Sequence, residues 1–193
     1  MTERMVESEG VDGPFKKKAT YEDLYSIPDN YIGEIIDGDL YAFPRARSLH
    51  GRAITRLTGA LRDYDDDDSP AGWTFLADVE VKLGKHLLVP DLSGWRRTRL
   101  PELPDVQIMT LAPDWVCEGL SPSTVRLDKG RKREIYAKHG VSHLWFVDPA
   151  LRSVDVLALD GTRYRHVATA AGDDRVKLAP FPRPIELAKL WKR

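Results

Sequence analysis

The chain has 193 residues, 42% of them hydrophobic, and its 29 Lys and Arg nearly balance 30 Asp and Glu. This length supports one domain with a sizeable core, and the net charge of −1 leaves only local basic patches as an argument for nucleic-acid binding. A lone cysteine, Cys117, excludes an intramolecular disulfide and a cysteine-rich zinc site, no apolar stretch approaches the about 18 residues of a membrane span, and no signal-type run follows Met1, so the expected location is the cytoplasm.

Residues 1–18 are polar and carry Gly10, Gly13, Pro14 and Lys16-Lys17-Lys18. They are expected to form a flexible arm ahead of a single domain over 19–193. A short helix is expected over 21–27, opened by Thr20 and stopped by Pro28. Two alternating runs flank Asp37-Gly38, a strong hairpin signal. His50, Ala53, Ile54, Leu57, Leu61 and Tyr64 recur at helical spacing, so 48–64 reads as an amphipathic helix. The acids Asp65 to Asp68 end it; they lack the ligand alternation of a calcium loop and read as solvated surface.

Two strands follow over 73–83 and 87–95, joined at Gly84-Lys85, and a third over 114–120. Ser121-Pro122 supplies a cap and a first-turn proline for a helix reaching His139, with Gly140 placed to end it. A strand over 143–147, a hairpin turning at Asp160-Gly161 and a short helix over 186–191 complete the chain, with no internal repeat. The basic stretches Arg96-Arg97-Thr98-Arg99 and 126–138 read most simply as a solvated turn and a solvated helix face.

Two acids interrupt apolar strands: Asp91 after Val89-Pro90, and Glu118 within Trp115-Val116-Cys117-Glu118-Gly119-Leu120. A buried, unpaired carboxylate costs several kcal/mol, roughly, so each must be paired, protonated or metal-bound. The element order puts both on successive strands of one sheet, where matched registers bring side chains within roughly 5 Å. Hard oxygen donors then point to magnesium or manganese. Proline cannot donate to a sheet ladder, and a bulge at Pro90 would turn Asp91 toward a cleft; the competing reading is a turn residue at a strand end. For Glu118 the competing reading is a structural ion pair. Strand alternation places Glu118 with Val116 and Leu120, opposite Trp115, Cys117 and Gly119. On the next helix the sheet-facing stripe holds Val125, Asp128, Lys132, Ile135, Tyr136 and His139. Lys132 could orient or deprotonate an attacking water or offset phosphate charge, or simply pair with Asp128 at i, i−4. From spacing alone Glu34 reads as an exposed strand residue, and His50 as a core or boundary histidine.

Taken in order, Glu34-Ile35-Ile36-Asp37-Gly38-Asp39-Leu40, Pro44, His50, Pro90-Asp91, Glu118-Gly119-Leu120-Ser121-Pro122-Ser123-Thr124, Asp128, Lys132, Tyr136-Ala137, Gly140-Val141 and Trp145-Phe146-Val147-Asp148-Pro149 form a pattern. Over residues 20–190 it resembles the Uma family of restriction-endonuclease-like proteins, within the PD-(D/E)XK nuclease superfamily. The resemblance implies an α/β (α+β) fold: a helix-strand-strand-strand-helix-strand core around a mixed central sheet, with an added N-terminal helix and hairpin and a C-terminal hairpin. It assigns Asp91 and Glu118 as the two acids, and Glu34 as a further acid facing the same cleft. Leu120 stands where the superfamily motif has lysine, and the resemblance implies that Lys132 replaces it in space. Gly119 and Cys117 depart from the bulkier aliphatics usual at their positions.

The expectation is a magnesium-dependent endonuclease acting on nucleic acid, DNA foremost. Its metal ligands would be Asp91, Glu118 and a main-chain carbonyl near Gly119, its catalytic groups Asp91, Glu118, Lys132 and Glu34, and by analogy with cutters of both strands it would form a homodimer. The alternatives are a non-catalytic nucleic-acid- or protein-binding module of nuclease ancestry, and a metal-free hydrolase using the two acids as acid and base.

Overall fold

The computed structural model of the chain describes residues 13–66, 69 and 71–192. Most of the arm expected over 1–18 lies outside these, as do Asp67 and Asp68; of the arm's described part, Lys16 pairs with Leu40 through both main-chain groups. A 3-10 turn at Tyr21–Ser26 opens with a Thr20–Asp23 capping box. Strands β1 (Tyr31–Ile36) and β2 (Asp39–Pro44) form the expected hairpin, and Asp37 and Gly38 both take positive φ, the backbone this two-residue turn requires. Helix α1 (Ser48–Asp65) buries Ala53, Ile54, Leu57, Leu61 and Tyr64, the stripe its spacing predicts.

The two long strands expected over 73–83 and 87–95 are each broken in two. The first becomes β3 (Trp73–Ala77) and β4 (Glu80–Leu83), the second β5 (His86–Leu88) and β6 (Leu92–Arg96). One break falls at Asp78, which takes a positive φ, and the other at Pro90-Asp91. The breaks lie opposite each other, since the Asp78 N–H donates to the Asp91 carbonyl. The hairpin therefore bends between two sheets, with β3 and β6 in one and β4 and β5 in the other. Proline suits such a site because its missing N–H removes a ladder bond where the ladder must end anyway.

After β7 (Ile108–Met109) and β8 (Trp115–Gly119), the chain coils over 125–138 and continues into β9 (His143–Asp148). The coil is not one α-helix: α2 (Val125–Leu127) and α3 (Arg133–Lys138) are joined by a π-helical turn, Asp128–Lys132, across which the Arg133 N–H reaches the Asp128 carbonyl. Then come β10 (Ser153–Asp160), β11 (Arg163–Ala171), a small ribbon of β12 (Arg175–Lys177) and β13 (Pro184–Glu186), and α4 (Leu187–Leu190).

The central sheet has six strands in the order β11-β10-β9-β8-β6-β3, mixed because β8 and β9 run parallel while its other pairs are antiparallel. A five-stranded sheet, β2-β1-β5-β4-β7, lies beside it. Strand alternation divides the core between the two faces of the central sheet. Trp115, Cys117, Trp145 and Val147 pack with α1 and the C-terminal residues Phe181, Leu187 and Leu190, whereas Val116, Leu144 and Phe146 pack with Ile135, Tyr136 and the small sheet. Cys117 is buried as an apolar residue among these. The core order helix-strand-strand-strand-helix-strand is α1-β3-β6-β8, the 125–138 coil and β9. No helix among the described residues is long and apolar enough to cross a membrane.

Candidate active site

The site forms where the two sheets and the coil meet, and each element contributes for a reason visible in its backbone. Leu92 on β6 pairs with Cys117 on β8, so continuing the antiparallel register sets Asp91 against Glu118. The bend at Pro90 frees Asp91 from the ladder, and its Oδ2 accepts the Gly119 N–H at 2.7 Å. Glu118 lies on the face covered by the coil, as alternation requires. Glu34 comes from β1, and instead of the solvent exposure that its spacing suggests it is buried, its Oε1 accepting the Val89 N–H at 2.7 Å.

Lys132 ties these acids together. Its Nζ lies 2.7 Å from Glu118 Oε1, 3.0 Å from Glu34 Oε1 and 3.2 Å from Asp128 Oδ1, and all four side chains are no more than 4% exposed. The π-helical turn contains both Asp128 and Lys132 and buries both of them against the sheet; such turns are often found at functional sites. Tyr136, farther along the same face, donates its hydroxyl to Glu118 Oε1 at 2.6 Å.

Burial pushes the carboxyls of Glu118, Glu34 and Asp128 above their ordinary range, even though Lys132 pulls each of them down. Burial works against the Lys132 ammonium as well, but Glu118 and Glu34 outweigh it and hold the amine charged well above its usual value. One cation thus faces three buried carboxyls, an acidic excess that favours a further proton or a metal ion.

His50, at the start of α1, points its Nε2 at Asp91 Oδ1, 2.7 Å away. Burial lowers the imidazole's affinity for a proton, but the bond to Asp91 and the negative charges of Asp91, Asp128 and Asp78 together more than offset this and hold its pKa above the ordinary value. The ring lies over Gly119: a Cβ there would stand 2.5 Å from His50 Cε1. Glycine at 119, which departs from a bulkier aliphatic, is therefore what lets the imidazole reach Asp91. Asp91, Glu118, Glu34, Asp128, Lys132, His50 and Gly119 all line one cavity of about 70 Å³, with Ser121 and Thr124 among the remaining lining residues.

Residues 19–188 match the model of the Uma2 family, described as "Putative restriction endonuclease". The chain belongs to the Uma2 family. A crystal structure from Anabaena variabilis, described as a "putative nuclease belonging to DUF820", matches with a TM-score of 0.67 and 22% identity over 88% of this chain and 96% of that one. At that identity the likeness shows the fold alone, which is restriction-endonuclease-like. No curated protein matches this Uma2 chain in sequence.

Of the residues singled out in the sequence, the structure brings Asp91, Glu118, Lys132, Glu34 and Gly119 to this one cavity. The pairing of Lys132 with Asp128, offered as an alternative to a functional role, is present together with its bonds to Glu34 and Glu118. His50 is the residue that spacing undervalued: helical periodicity shows which face it occupies but not what lies opposite. The glycine at 119 was the available signal, since a missing side chain marks a close approach. Among the described residues no three His, Cys, Asp or Glu side chains stand together as a set of metal ligands. The carboxylates of Asp91 and Glu118 stand on the wall of this Uma2 cavity, beside Gly119. At about 70 Å³ the cavity has room for a water or a small ion, so carboxylate oxygens and space are both present.

Proposed function

We propose that this protein is a divalent-metal-dependent phosphodiesterase that cuts nucleic acid, DNA foremost. The observation that carries the reading is the convergence of Asp91 and Glu118, from adjacent strands, on a cavity that also receives the Lys132 ammonium. Asp91, Glu118 and the carbonyl of Gly119 would hold magnesium or manganese. When bound, the metal supplies Lewis-acid activation of water and offsets phosphate charge.

The protein's own groups do the rest. His50 and the Gly119 N–H each bond one Asp91 oxygen and so fix its carboxylate plane. Tyr136 holds Glu118 in the same way. Lys132 is kept charged by the carboxylates around it, so it acts as a donor that orients the attacking water and offsets charge developing on the phosphate, not as a base. Glu34, anchored by the Val89 N–H, positions that ammonium.

One observation favours the reading as a non-catalytic binding module. Lys132 contacts all three buried carboxylates, so the cluster has an internal counterion without a metal. Cleavage decides between the two. Incubated with magnesium and either supercoiled plasmid or single-stranded DNA, the protein is expected to cut at least one of them, EDTA to stop it, and Asp91→Asn to slow it by about 10²–10³-fold. Cleavage that persists at the same rate in Asp91→Asn would refute the assignment, and no cleavage by the wild type would favour the binding module.

A further inference from the structure

Beside the acid cavity lies a second, larger groove of about 530 Å³, and the two share the walls Ile32 and Val89. Its volume is within the roughly 300–1,000 Å³ range of small-molecule sites. The 3-10 turn provides one side. Gly33 lets Leu24 and Ile27 pack directly on β1, since a Cβ there would meet Leu24 Cδ2 at 2.5 Å and Ile27 Cδ1 at 2.8 Å. This seating brings Tyr21 and Tyr25 to the groove as an edge-to-face pair, centroids 5.8 Å apart. Tyr21 is fixed by its hydroxyl, which donates to Glu80 Oε2 at 2.9 Å. Tyr25 is 72% exposed, so its ring is open to a stacking partner.

The polar lining narrows the ligand. Among the described lining residues Asp29, Asp78 and Glu80 are matched by one cation, Arg45, whose Nε already donates to the Asp29 carbonyl. An acidic wall repels a phosphate but accepts hydrogen bonds from the exocyclic amines of nucleobases. Aromatic rings that stack, acceptors for amines and a shared wall with the acid cavity together describe a place for a base, with its phosphate left toward the acid cavity. We propose that this groove receives one unpaired nucleotide of the substrate strand, its base against Tyr25 and Tyr21. The substrate is thus a single strand, a frayed end or an extruded base in preference to blunt duplex. The inference takes nucleic acid as the ligand from the function proposed above, but it does not need cleavage.

The test is fluorescence anisotropy with the full chain in EDTA, using a fluorescein-labelled single-stranded DNA oligonucleotide of mixed sequence and the blunt duplex of the same sequence. The wild type is expected to bind the single strand more tightly. Tyr25→Ala should weaken single-strand binding by about tenfold, the effect of one lost base stack, and duplex binding by less than about twofold. Tyr25→Phe, which keeps the stacking face, should bind as the wild type does. Equal losses on both probes, no loss, failure of Tyr25→Phe, or no binding by the wild type would each overturn the proposal. Tyr25-dependent single-strand binding in a protein that never cuts would sink the nuclease reading and leave the groove standing. Cleavage with binding indifferent to Tyr25 would do the reverse.

Discussion

At the scale of residues, the site depends on one steric permission. Gly119 has no side chain because the His50 ring occupies that space, and through it His50 reaches Asp91 at 2.7 Å. Gly119→Ala is expected to cost about 1–3 kcal/mol, as overpacking does, and to push the imidazole off Asp91. His50→Ala removes the clash, so the double variant should be more stable than the sum of the two single changes implies. Urea unfolding of the four proteins checks this, and strict additivity would show that the ring and residue 119 do not compete for the same space. Asp91 and Glu118 were legible in the sequence because each acid breaks an apolar run. Glu34 was not legible from spacing, since β1 gives no sign that Lys132 of the coil and the Val89 backbone close over it; only the family resemblance placed it in the cleft. His50 was hidden for a related reason. Its neighbours on α1 are apolar, and nothing in 48–64 says that its one polar contact comes from a different strand.

At the scale of elements, three joints position the site: the strand breaks at Asp78 and Pro90-Asp91, and the π-helical turn Asp128–Lys132. Pro90 announced the second break; Asp78 gave no signal because a non-glycine residue carries the positive φ. The π turn was also invisible, since the apolar periodicity of 125–138 fits an ordinary helix nearly as well. A fourth contact ties the coil to the β1–β2 turn. The Arg131 guanidinium forks onto Asp37, with Nη2 2.7 Å from Oδ1, and Lys85 lies 3.1 Å from the same oxygen. These cations, Arg131 foremost, hold the Asp37 carboxyl well below its usual range. A depressed carboxylate pKa adds stability above the unfolded value of about 3.9, and that stability is lost as pH falls toward the folded value. Asp37→Asn keeps the positive-φ turn, which asparagine tolerates, and removes only the charge. Because the pair is partly exposed, the variant should lose no more than about 1 kcal/mol at neutral pH and low salt. The difference should shrink in high salt and below about pH 3. A loss independent of pH would mean that turn geometry, not charge, is responsible.

At the scale of the whole molecule, the mixed sheet is a partition. On one face an aromatic cluster centred on Phe181, with Tyr64, Trp73, Trp115 and Trp145 rings within 5.1–5.5 Å, joins α1 to the C-terminal segment. The other face carries the coil and the small sheet, and the acid cavity opens where they meet. The core order from α1 to β9 was readable because each of its elements has a clean period of its own. The short pieces were not: β7, β12 and β13 are too brief for a periodic signal. The central claim is that this partition presents Asp91 and Glu118 as a joint metal site. Calorimetric titration with manganese tests it most directly. The account predicts one site in the wild type that is lost in both Asp91→Asn and Glu118→Gln, each still folded by circular dichroism. Manganese binding that survives both substitutions, or none in the wild type, would contradict it.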